Sequence, residues 1–148
     1  MKRILVATDL SEVTDPVLRL ACELARATGA QIEIVHVAPP DPEFVGYDVG
    51  PDSVRDVVAS ELHDVHRQIQ ELASGLRDEG FDAKAVLLRG PAAEQICDQA
   101  TRISADLVVV GSHGHGLLYR AALGSVSERV VRRASRPVLV VPSKRPES

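Results

Sequence analysis

A chain of 148 residues with 45% hydrophobic and 26% charged side chains has the balance of one folded domain, long enough to bury a core without staples. A net charge of −4 and only 3% aromatic residues exclude the usual nucleic-acid binder, which carries a basic face and stacks bases on rings. Two cysteines, Cys22 and Cys97, make no disulfide framework; both sit in helix-like patterns as small core residues of a reducing compartment would.

The chain opens Met1-Lys2-Arg3, then Ile4 to Ala7, a short apolar run of the kind a strand buried on both faces requires. That run is too short for a secretion signal, and no stretch reaches membrane-spanning length. The expectation is a cytoplasmic protein with no membrane partner. Ser11 to Pro16 carries helix-start signals, and Val17, Leu20, Ala21, Leu24 and Ala25 follow at helical spacing until Gly29. Ile32, Ile34, Val35 and Val37 form a second strand. Four prolines and two glycines between Pro39 and Pro51 predict a long irregular connection.

The longest helix comes next, with Val54, Val58, Leu62, Val65, Ile69, Leu72 and Leu76 spaced three or four apart and Gly80 at its end. Ala83 and Ala85 to Leu88 give a third, weakly patterned strand. Pro91 opens a third helix with Ala93, Ile96, Cys97 and Ala100 on one face. Leu107 to Val110 is a fourth buried strand. A last helix runs from about Ser125 to Arg133 with Val126 and Val130 inward, and a fifth strand lies within Pro137 to Pro142. Residues 1–142 form the expected domain, and 143–148 a disordered polar tail.

Strands alternating with amphipathic helices predict an α/β fold: a parallel sheet covered on both faces, doubly wound. With the reversal between the first and fourth strands, the order is 3-2-1-4-5. Ligands then bind at the carboxyl ends of those two strands, here Thr8-Asp9 and Gly111 onward.

The stretch from Gly111 to Glu128 is the most informative. Glycines there permit positive φ and close approach of the backbone, and amides leading into a helix attract anions. A P-loop needs Gly-Lys-Ser/Thr, and no Gly-Lys occurs. A dinucleotide fingerprint needs glycines after the first strand, where Thr8-Asp9-Leu10-Ser11 has none. What remains is Gly111, two residues, Gly114, nine residues, then Gly124-Ser125.

That spacing resembles the nucleotide-binding motif of the universal stress protein family. So do Val110 to His115, Leu123 to Val130, Arg136 to Pro142, the opening Ile4 to Asp9 with Ser11, and His36-Val37. The resemblance covers nearly the whole chain and implies a Rossmann-like three-layer sandwich of the adenine-nucleotide alpha-hydrolase type. It implies ATP, or ADP or AMP, as ligand. Ala7, Thr8, Asp9 and Val37 would then line the adenine. Val110 and Gly111 would face the ribose, with Ser112, His113 and Gly114 close by. Gly124, Ser125, Val126 and Ser127 would cradle the phosphates, and Asp9 or the phosphates themselves could hold Mg²⁺ weakly. A homodimer through the fifth strand, Val138, Leu139, Val140 and Val141, is implied as well; an apolar edge is a pairing liability that a two-fold partner covers.

Plainer roles stand beside these. Asp9 could only cap a helix, and Ser125 and Ser127 could be N-caps. His113 and His115 are too few for a metal site, and His63 and His66 read as solvated. Arg129, Arg132, Arg133 and Arg136 favour a helix C-terminus. No lysine in the loop and no second acid beside it provide the clamp that ATP hydrolysis needs. The sequence thus predicts a nucleotide-binding regulatory protein with slow hydrolysis at most. A nucleotide-free dimeric interaction module and a weak nucleotide-hydrolysing enzyme in the same crevice are the alternatives.

Overall fold

Five short strands pair in parallel in the order β3-β2-β1-β4-β5. In chain order they are β1 (Arg3–Ala7), β2 (Gln31–Ala38), β3 (Ala83–Arg89), β4 (Leu107–Gly111) and β5 (Val138–Val141). Helices α1 (Thr14–Thr28), α2 (Pro51–Asp78), α3 (Ala92–Arg102) and α4 (Ser125–Arg133) alternate with them. The computed structural model describes residues 1–10, 14–39, 51–112 and 124–142. Most of the connection expected over Pro39 to Pro51, and the expected tail 143–148, lie outside those residues.

The sheet buries a different set of side chains on each face, because successive strand residues point to opposite sides. On one face Ile4, Val6, Ile32, Ile34, Leu107 and Val109 pack under α1 and α2, against Val17, Ala21, Ala25, Ala73 and Leu76. On the other, Leu5, Val35, Val108 and Val110 pack under α3 and α4, against Ala93, Ile96, Cys97, Ala100 and Val130. The long aliphatic runs are the consequence: β1 and β4 must be apolar in both directions.

Both cysteines are free and buried, and burial first of all pushes each thiol above its ordinary pKa. Two helices, α1 and α2, stop where glycine allows a left-handed residue: Gly29 has φ 76° and closes α1 through its amide on Ala25 at 2.7 Å, and Gly80 has φ 97° beyond α2. Pro91 opens α3 as its N-cap, with extended ψ. Val126 departs further from expectation. It is 42% exposed in the first turn of α4, and Ser127 and Val130 form the buried face instead.

Candidate functional site

β1 leads to α1 on one face and β4 leads to α4 on the other, although the two strands are neighbours. Connections that part in this way leave a crevice at the carboxyl ends of the two strands.

On the β1 side, the strand runs out before β2 does. The last ladder bond goes from the Thr8 amide to the Val35 carbonyl, 2.9 Å. β2 continues through His36, Val37 and Ala38. In a parallel strand the N–H and C=O of one residue point to the same neighbour, and alternate residues serve opposite neighbours. Gln31 and Val35 bond toward β1; Ile32 and Ala38 bond toward β3. Val37 shares the parity of Gln31 and Val35. Its N–H and C=O therefore face the space that β1 has vacated, and no described residue bonds either group.

Thr8 is the pivot. Its side chain is buried, and its Oγ1 accepts the Leu10 amide at 3.0 Å. Its carbonyl oxygen lies 2.8 Å from His36 Nδ1. Leu10 adopts φ 62°, a left-handed conformation that costs a non-glycine residue about 1–2 kcal/mol. The bond from Leu10 to Thr8 helps hold that sharp departure, which clears the end of β2. Ala7 is half-buried at the strand end and Asp9 is exposed at the rim.

On the β4 side, the Val110 side chain is 3% exposed and belongs to the core under α3 and α4, so only its backbone could meet a ribose. The Ser112 amide bonds the Val141 carbonyl (2.8 Å), and the Gly124 amide bonds the Ser112 carbonyl (2.6 Å). The two ends of the glycine loop are thereby held together. His113 and Gly114 lie outside the described residues.

Gly124 has φ −60° and ψ 153°, which any residue adopts, so no positive φ explains this glycine. It is the N-cap of α4 and provides no side-chain cap. The Ser127 hydroxyl, expected toward a phosphate, instead donates to the Gly111 carbonyl and ties α4 to the end of β4. Two members of the expected cradle, the Gly124 amide and the Ser127 hydroxyl, are thus engaged within the chain. The amides of Ser125, Val126 and Ser127 have no bonded acceptor among the described residues. First-turn amides never find an intrahelical acceptor, and the helix dipole adds positive potential there. Leu10 went unnoticed in the sequence because nothing marks a leucine for a left-handed φ. His36 carried a signal only as part of a family match, not as a contact.

At the opposite end of the sheet is a second concavity of about 340 Å³, lined among others by Arg3, Gln31, Glu33, Asp82, Lys84 and Arg102. Its acids are engaged. Glu33 is 4% exposed, accepts Gln99 Nε2 at 2.5 Å and pairs with Lys84 at 3.3 Å. Asp82 accepts Gln31 Nε2 at 2.6 Å.

The family model described as "Universal stress protein family" matches residues 1–142. The chain belongs to the universal stress protein family. It is 32% identical to the stress response protein NhaX of Bacillus subtilis, over 94% of this chain and 96% of that one. The solved structure of MJ0577, a universal stress protein of Methanocaldococcus jannaschii, superposes with a TM-score of 0.79 at 27% identity, covering 98% of each chain. The universal stress protein of Archaeoglobus fulgidus, solved in complex with dAMP, gives a TM-score of 0.64 at 26% identity, over 95% of this chain and 98% of that one. Among the described residues, no helix is long and apolar enough to cross a membrane.

Proposed function

We propose that this universal stress protein binds an adenine nucleotide, ATP or its ADP or AMP relatives, across the crevice between β1 and β4. The observation that carries the reading is the edge of Val37, whose N–H and C=O bond no described residue. One peptide donor and one peptide acceptor face the vacated space side by side. Adenine's pairing edge offers the complement, a ring-nitrogen acceptor beside an amino donor. Guanine presents a carbonyl beside a ring N–H, the reverse order, and would leave both groups of Val37 opposed to their like. Ala7 and the rim acid Asp9 flank the same opening. The phosphates would lie across the crevice on the amides of Ser125, Val126 and Ser127, with the Ser125 hydroxyl and the Gly111–Ser112 backbone beside them. His113, Gly114 and a weakly held Mg²⁺ belong to the same reading. The dAMP-bound relative supports the ligand class.

Among the described residues β5 pairs on one edge, to β4, and Val138, Leu139 and Val140 are half-buried there. The reading therefore includes a homodimer through that strand.

Titration calorimetry with ATP, AMP and GTP tests the ligand, and sedimentation on the same samples tests the dimer. ATP and AMP are expected to bind, with GTP weaker by about tenfold or more, the penalty for opposed polar groups. Equal affinity for GTP, or none for any adenine nucleotide, would sink the site. A monomer at every concentration would remove the dimer.

A further inference from the structure

The ladder between β1 and β2 stops one bond short of where its geometry would carry it. The bonded series starts at the Gln31 amide on the Lys2 carbonyl, 2.8 Å, and ends at the Thr8 amide on the Val35 carbonyl, 2.9 Å. In a parallel ladder the next bond runs from the Val37 amide to the Thr8 carbonyl. That carbonyl is instead met by His36 Nδ1 at 2.8 Å. A carbonyl oxygen only accepts, so Nδ1 carries the hydrogen and donates it. The residue that supplies the substitute donor directly precedes the amide it displaces.

We propose that His36 is a positioning residue for base recognition: its imidazole takes up the Thr8 carbonyl, so that the Val37 amide stays turned toward the crevice. This rests on the adenine reading above. All three polar groups of Thr8 are used to end the strand. The N–H fixes register on Val35, the Oγ1 takes Leu10 as the chain turns left-handed, and the C=O is held by His36. Remove the imidazole and the Thr8 carbonyl loses this partner. The nearest donor of the right parity is the Val37 amide, and pairing the two would extend the ladder by one bond over the base site.

The Nδ1 of histidine and the Nδ2 of asparagine sit at the same distance from the backbone, so His36→Asn can still donate to Thr8, whereas His36→Leu fills similar volume and cannot. Three measurements test the idea. In nucleotide-free protein, amide hydrogen exchange at Val37 is expected to be fast in wild type and His36→Asn, and at least about tenfold slower in His36→Leu as the new ladder bond forms. Nitrogen-15 shifts of the wild-type ring are expected to show a protonated Nδ1. AMP affinity is expected to fall about five- to tenfold in His36→Leu, the worth of one lost neutral hydrogen bond, and to be restored in His36→Asn. Circular dichroism confirms that each variant is folded.

Unchanged Val37 exchange in His36→Leu, or a neutral ring protonated only on Nε2, overturns the proposal while leaving adenine binding untouched. Wild type that binds no adenine nucleotide overturns the adenine reading. The exchange and tautomer measurements then still decide whether His36 ends the ladder. Equal AMP affinity in wild type and His36→Leu also overturns the proposal.

Discussion

The two ends of this sheet are built on opposite plans. At the amino end, polar groups are consumed by one another. The Asp106 carboxylate takes the amides of Lys2 and Arg3 at 2.6 and 3.0 Å, and the Arg3 guanidinium reaches the Ile103 carbonyl at 2.8 Å. Gln99 bridges buried Glu33 to Arg102, whose Nη1 donates at 2.9 Å. At the carboxyl end, the Val37 N–H and C=O bond no described residue, and α4 starts without a side-chain cap. Satisfied groups contribute stability; unsatisfied ones beside a crevice are available to a ligand. The difference teaches where to look in such a fold: a concavity whose charges are already paired is weaker as a binding site than a backbone edge with nothing to bond.

The largest effect is expected from breaking the amino end. Gln99→Leu strips a buried carboxylate oxygen of its donor and Arg102 of its acceptor. Unfolding free energy should fall by about 1–3 kcal/mol in urea titration, with nucleotide affinity unchanged. A parallel loss of affinity would erase the division between the ends.

Next is Ser125→Glu, which should separate stability from binding at the carboxyl end. A carboxylate in the first turn of α4 favours the helix dipole by about 0.5 kcal/mol. The same charge repels a triphosphate, and ATP affinity should drop about tenfold, ~1.4 kcal/mol, after screening. Calorimetry alongside thermal unfolding reads both. Affinity that holds would place the phosphates elsewhere.

The smallest effect is a pH dependence at the amino end. The two backbone amides that bond Asp106 hold its carboxyl below the usual carboxylate range. A pKa lowered by folding stabilises the fold above the unfolded-state value of about 4 and loses that contribution as pH falls through the folded value. Asp106→Asn should therefore lower the melting temperature at pH 7, with the difference shrinking below pH 4. A difference that grows on acidification would reverse the sign of this contribution.

Much of the fold was legible. Apolar runs marked β1 and β4, helical spacing marked α1, α2 and α3, and Gly29 and Gly80 marked the ends of α1 and α2 because a left-handed residue is needed there. Glu33 was not legible: it lies between Ile32 and Ile34, where alternation would place it in water, yet α3 crosses that face and buries it beside Gln99. Val126 misled in the other direction, because helical spacing gives a direction around α4 but not whether anything packs there.

By itself the sequence determined the class of fold, the family and the neighbourhood of the crevice, since apolar periodicity and glycine spacing are local signals of which face is buried and where the chain turns. Which groups in that neighbourhood bond no described residue was decided by tertiary structure. The Val37 edge, the Thr8 carbonyl held by His36 and the Ser127 bond to Gly111 depend on the register between strands and on where β1 stops. A hydrogen-bond partner 28 residues away leaves no periodicity to read. It exists only once the sheet has brought the two strands together.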